Sequence, residues 1–194
     1  MRIRKFASEQ LALPVEQNYS TYVDVEREHV VWNVFAAPEF SINPVNWCYP
    51  IAGCVSYRGY FSEAGAKNYG LALERQGFDV YTGGIDAYST LGWFDDSLLS
   101  TVISRANYQL AGLIFHELAH QVAYLPGNTT FNESFATAVE REGLRRWLEA
   151  TEQSETIAIA ERNSSRQEQF INLVSRFRDR FESVYQDEIS ETQK

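Results

Sequence analysis

Apolar positions along the chain change their period near its middle. Ile3, Phe6, Ala7 and Leu11 recur at steps of three and four, which predicts a short amphipathic helix stopped by Pro14. Residues 18–24 are polar and turn-like, and 30–36 (VVWNVFA) have the β-branched and aromatic make-up of a buried strand ended by Pro38. A second strand is expected at 52–57. Ser62 and Glu63 open a helix that carries Ala66, Tyr69, Leu71 and Leu73 and closes at Gly77. Residues 78–81 form a third strand, Gly83-Gly84 let the backbone turn or run close to something, and 85–90 give a fourth strand at an edge, where an extended peptide can pair.

From Leu98 the pattern reads as helical to the end, with Asp95-Asp96-Ser97 as its cap, one break at Pro126-Gly127-Asn128 and a fresh start at Thr130. Phe170, Val174, Phe177, Phe181 and Val184 alternate steps of four and three, which predicts a packing seam. The whole is expected to be one α+β domain over 1–194. A small mixed or antiparallel sheet fills the strand-rich half, 1–97, and a mainly helical half follows at 98–194.

The least polar stretch, 110–125, reads LAGLIFHELAHQVAYL, apolar on almost every side and so a buried helix. It contains His116-Glu117-Leu118-Ala119-His120. Two imidazoles four residues apart stack on one helix face, which is the spacing that closes on a single zinc ion, and the neighbouring Glu117 can take a proton from a metal-activated water. Between 106 and 140 the only charged side chains are Glu117, Glu133 and Glu140, although 22% of the chain is charged. Buried carboxylates need partners, and a shared cation supplies one.

Two histidines leave a tetrahedral site short of a protein ligand. Glu133, about one turn into the next helix, reaches the height of His120 if the two helices fold back as a hairpin. The competing role for Glu133 is to close a capping box with Thr130. The third histidine, His29, reads as a strand-end residue.

Composition narrows the partners. A net charge of −9 with no Lys/Arg cluster beyond the first five residues speaks against nucleic acid, and no apolar run is long enough to cross a membrane. A peptide or small-molecule substrate remains; nothing in the sequence sets an oligomeric state. The basic start, MRIRK, lacks the apolar region of a signal peptide, so the chain as written carries no export signal. Cys48 and Cys54 are compatible with a disulfide or with two reduced thiols.

HELAHQ at 116–121 with FNESFATAVE at 131–140 resembles the HELAHQ and NEGFA segments of gluzincin metallopeptidases of the M1 aminopeptidase type. The resemblance implies a zincin-like fold with the HExxH helix buried, one zinc on His116, His120 and Glu133, and Glu117 as general base. Thr137 and Glu140 follow Glu133 on its helix face, where either can orient a ligand histidine. The linker between His120 and Glu133 is shorter than in M1 enzymes. GGIDA at 83–87 lies about as far upstream as their GAMEN segment, whose acidic residue binds the substrate amine, which puts Asp86, with Ala87 and Tyr88, at the substrate.

A closer likeness is to the bacterial family described as putative aminopeptidases, across VVWNVFAAPEF (30–40), CYPIAGCVSYRGYF (48–61) and AYSTLGWF (87–94). Its members often begin with a lipoprotein signal, which implies a cell-envelope or periplasmic location and, for this chain, a shortened start. The oxyanion donor of M1 enzymes is a downstream tyrosine, and only Tyr185 follows Glu140. Tyr57, Tyr60 and Tyr88 are the substitutes from the first half. Two rival readings stand beside peptide hydrolysis: a non-catalytic domain that binds metal for stability or serves as an envelope interaction module, and a hydrolase of the deformylase type with Cys54 as thiolate ligand.

Overall fold

The computed structural model describes residues 2–50, 53–87, 90 and 94–186. In chain order the elements are α1 (Arg2–Leu11), β1 (Tyr22–Val23), β2 (Val31–Pro38), β3 (Trp47–Tyr49), β4 (Gly53–Val55), β5 (Arg58–Tyr60), α2 (Glu63–Glu74), β6 (Phe78–Ile85), β7 (Leu98–Leu99), α3 (Ser100–Ile103), α4 (Asn107–Val122), α5 (Thr129–Ala150) and α6 (Ser154–Gln186). The fold is α+β with small sheets. It divides into two compact units, one of Met1–Val30, Ile51–Gly53 and Ile85–Ala160, the other of Val31–Pro50, Cys54–Gly84 and Glu161–Lys194.

The first unit is built on α4. Its Leu110, Ala111, Ile114, Phe115 and Leu118 are buried and pack with Ile3 and Ala7 of α1, Leu98 and Val102, and Trp147 and Leu148 of α5. The expected helix start at Leu98 is corrected: Leu98 and Leu99 form β7, which pairs in parallel with β1, Tyr22 opposite Leu98 and Val23 opposite Leu99. Leu98 buries its side chain in the core while its N–H donates to the Thr21 carbonyl at 2.8 Å, so the extended conformation satisfies packing and backbone together. Asp96 is correspondingly not a helix cap. Both oxygens of its carboxylate accept from the Thr90 N–H.

α4 ends at Val122, ahead of the expected break at 126–128, because Ala123 is already extended; the cap of α5 is Asn128, whose Oδ1 accepts from the Phe131 N–H at 3.0 Å. The capping-box role for Glu133 is therefore not taken up, and its carboxylate is available elsewhere. Asn132, 3% exposed, clasps Leu125 from both sides: its Oδ1 accepts from the Leu125 N–H at 2.7 Å and its Nδ2 donates to the Leu125 carbonyl at 3.0 Å. One amide thus pins the first turn of α5 to the linker that leaves α4. Replacing Asn132 by Leu strands two backbone groups at about 1–3 kcal/mol each. The expected result is a melting temperature lower by roughly 5–15 °C in a thermal denaturation experiment.

In the second unit β2 lies between β5 and β6, paired antiparallel to β5 with Trp32 opposite Tyr60. Val34, Ala36, Ala66 and Leu73 form its core beneath α2, whose start at Ser62 is as expected; Gly77 beyond its end adopts φ +87°. The strand expected at 52–57 is the short β4 with β5 beginning at Arg58, residues 51 and 52 lying outside the described residues. The pair Gly83-Gly84 does not turn. β6 runs straight through it to Ile85, and the ring of Tyr81 covers Gly83, where a Cβ would come within 2.9 Å of it. The strand expected at 85–90 does not form at Asp86, Ala87 or Thr90; residues 88 and 89 lie outside the described residues.

Cys48 and Cys54 are joined by a disulfide across β3 and β4. The seam expected at 170–184 is also corrected. α6 buries no residue, and Phe170, Phe177 and Phe181 are 65%, 49% and 50% exposed. The period marks one face of a helix of 33 residues, and among the described residues no element covers that face. No helix among the described residues is long and apolar enough to cross a membrane.

Candidate metal centre

The α-helical period of α4 puts the rings of His116 and His120 5.0 Å apart, edge to face at 81°. The clasp at Asn132 brings the next residue, Glu133, over both. Its carboxylate lies 3.3 Å from His116 Nε2 through one oxygen and 3.7 Å from His120 Nε2 through the other. One donor atom from each of the three residues falls within 4.8 Å of the others. Donors bound to zinc at about 2.0–2.1 Å in a tetrahedron stand roughly 3.4 Å apart, so this triad fits such an ion with little adjustment. Among the described residues no further His, Cys, Asp or Glu joins the group.

The other nitrogen of His116, Nδ1, faces Glu140 Oε2 at 3.0 Å. Gly112, one turn before His116, makes the approach possible: a Cβ there would meet Glu140 Oε1 at 3.2 Å. Glu140 thus fixes the His116 ring with Nε2 turned toward Glu133, the part that carboxylates commonly play behind metal-binding histidines. Thr137 makes no hydrogen bond to either imidazole. It lies with Glu133 in an open groove of about 660 Å³ along α5.

The electrostatics follow from this crowding. Burial pulls the His116 pKa down, but the hydrogen bonds to Glu133 and Glu140, with the charges of Glu117 and Glu140, push it up to about 10. The bond from His116 holds Glu133 below the ordinary carboxylate range against its partial burial. His120 is lowered by burial and by the charge on His116, and its Nδ1 is buried without a hydrogen-bond partner.

Glu117 leaves α4 on an adjoining face. Burial above all, aided by the charges of Glu133, Asp96 and Glu140 and opposed by His116, raises its pKa to about 7. Its side chain lines a cavity of about 20 Å³, room for roughly one water, whose walls include Tyr19, Ala87, Leu98, Val102 and Ile114. The structure therefore brings Ala87 to the general-base candidate. Asp86 is engaged otherwise: it accepts from His29 Nδ1 at 2.7 Å and from the Arg105 guanidinium at 2.8 Å, and those bonds outweigh burial and lower its pKa. Tyr88 lies outside the described residues. Tyr57 and Tyr60 belong to the second unit. Cys54 is consumed by its disulfide, which removes the thiolate-ligand reading.

Sequence reasoning read a polar turn from residue 18 but missed what Asn18 holds together. Asn18, 3% exposed, donates through Nδ2 to Gln121 Oε1 at 3.2 Å, one residue past His120, and accepts the Asp96 N–H at 2.8 Å. Only its neighbours in space mark it, since its local sequence is that of any polar turn.

Helix, turn and helix together define a class: an α+β protein in which two histidines of a His-Glu-x-x-His turn and a glutamate of the next helix converge beside a buried carboxylate. The chain belongs to the family described as "Putative aminopeptidase", whose model matches residues 1–194. No curated protein and no solved structure matches it.

Proposed function

We propose that this chain is a zinc-dependent peptidase that removes residues from free N-termini, with Glu117 as general base. The observation that carries the reading is the convergence of His116, His120 and Glu133 within 4.8 Å, next to a carboxylate that is not one of the three. A structural metal site has no use for that carboxylate and fills its fourth position with protein. When bound, the ion supplies Lewis acidity toward the scissile carbonyl and lowers the pKa of water. The residues do the rest: Glu133 and the two imidazoles hold the ion, Glu140 orients His116, and Glu117 accepts the nucleophile's proton and returns it to the leaving amine.

The test is turnover of a free-amine peptide and its N-acetylated twin by protein loaded with zinc, stripped by chelator and reloaded. Cleavage of the first alone, lost on stripping and restored on reloading, is expected. Equal cleavage of both would replace the aminopeptidase with an endopeptidase, and cleavage of neither would leave a metal-stabilised domain without catalysis.

A further inference from the structure

The mechanism above leaves one polar group of the site unused. Tyr19 stands in the wall of the cavity of about 20 Å³ that Glu117 also lines, and no other tyrosine of the described residues shares that wall. Its backbone adopts φ +55°, the left-handed region that a bulky aromatic residue rarely enters. Such a conformation persists only where the surroundings fix it.

Here they do. The Tyr19 N–H donates to the Asp96 carbonyl at 2.5 Å, and the buried Asn18 beside it links the Asp96 N–H to Gln121 on the motif helix. The turn is thus tied to α4 one residue beyond His120, and the tie holds Tyr19 in the wall of the cavity. The ring packs against the main core of this unit. Burial and the nearby carboxylates of Glu117 and Asp96 keep the hydroxyl protonated, so it is a standing donor. The other polar side chains of this wall are Ser97, whose hydroxyl is paired with Thr21, and Glu117 itself.

We propose that Tyr19 is a positioning residue for Glu117: its hydroxyl donates, directly or through the single water the cavity admits, to one carboxylate oxygen and leaves the other aimed at the metal-binding triad. The assignment rests on the peptidase reading for its consequence, but the contact itself is independent of activity. A carboxylate free to rotate would spend part of the time with neither oxygen aimed at the triad, and a phenol locked by a strained, hydrogen-bonded turn removes that freedom.

Two measurements on the full chain decide it. With tyrosine labelled at Cζ, the carbon NMR spectrum of the metal-free protein identifies Tyr19 by the signal that Tyr19→Phe removes. Glu117→Gln is expected to shift that signal and leave the other ten of the chain's eleven tyrosines in place. An unmoved Tyr19 signal overturns the proposal. With zinc bound, Tyr19→Phe, which keeps the packed ring, is expected to lower kcat about 10- to 100-fold while KM and zinc content stay unchanged. Wild-type kcat in Tyr19→Phe also overturns it while the peptidase reading stands. If the unaltered chain cleaves no peptide, that reading falls, and the NMR shift alone still decides the contact.

Discussion

Glu117→Gln is expected to bind zinc as the unaltered chain does and to lose at least about 100-fold, and up to about 10,000-fold, in peptide turnover. The amide has the shape of the carboxylate but cannot take a proton. It leaves the candidate triad of His116, His120 and Glu133 untouched. Metal analysis and steady-state kinetics on the same preparations separate the two effects. Undiminished turnover would remove Glu117 from the chemistry, and loss of zinc would make it a ligand.

The second large effect is expected on the metal itself. His116→Ala, His120→Ala and Glu133→Gln each delete one of three donors. For a binding free energy on the order of 10–16 kcal/mol, losing a donor removes at least about 3 kcal/mol, a factor of roughly 100 or more in affinity. Glu140→Gln keeps all three donors and loosens only the hold on His116 Nδ1, so a weakening of about 10- to 100-fold is expected. Competition against a chromophoric chelator ranks the four variants. Unchanged affinity in Glu133→Gln would take that residue out of the ligand set and leave the histidine pair without its carboxylate.

Much of this site was legible because its parts are local. A four-residue step on a helix carries its own geometry, and a short break between helices limits how far Glu133 can stray from His120. Ile3 and Ala7, the strand at 31–38 and Gly77 were readable for the same reason: period, composition and a left-handed stop are properties of neighbours in sequence. What escaped depends on distant partners. Leu98 and Leu99 are too few to show a strand period, and only Thr21, Tyr22 and Val23 make them extended. The 170–184 stripe has a clear period, but a period identifies a face and says nothing of what lies over it. Two caps competed at the start of α5, and Asn128 prevailed over Thr130. Tyr19 gave no signal at all, since its place beside Glu117 is created by the bonds of Asn18 to Gln121 and Asp96.

The clasp of Asn132 on Leu125 has a consequence for how such a centre is filled. The two candidate histidine donors share one rigid rod, and the rod that carries Glu133 is clasped to the linker leaving it, so a socket built this way would be cast during folding, before any ion arrives. Little chain entropy then stands between an empty cage and a loaded one. Exchange of one ion for another becomes a matter of solvent and proton traffic, with the polypeptide a bystander.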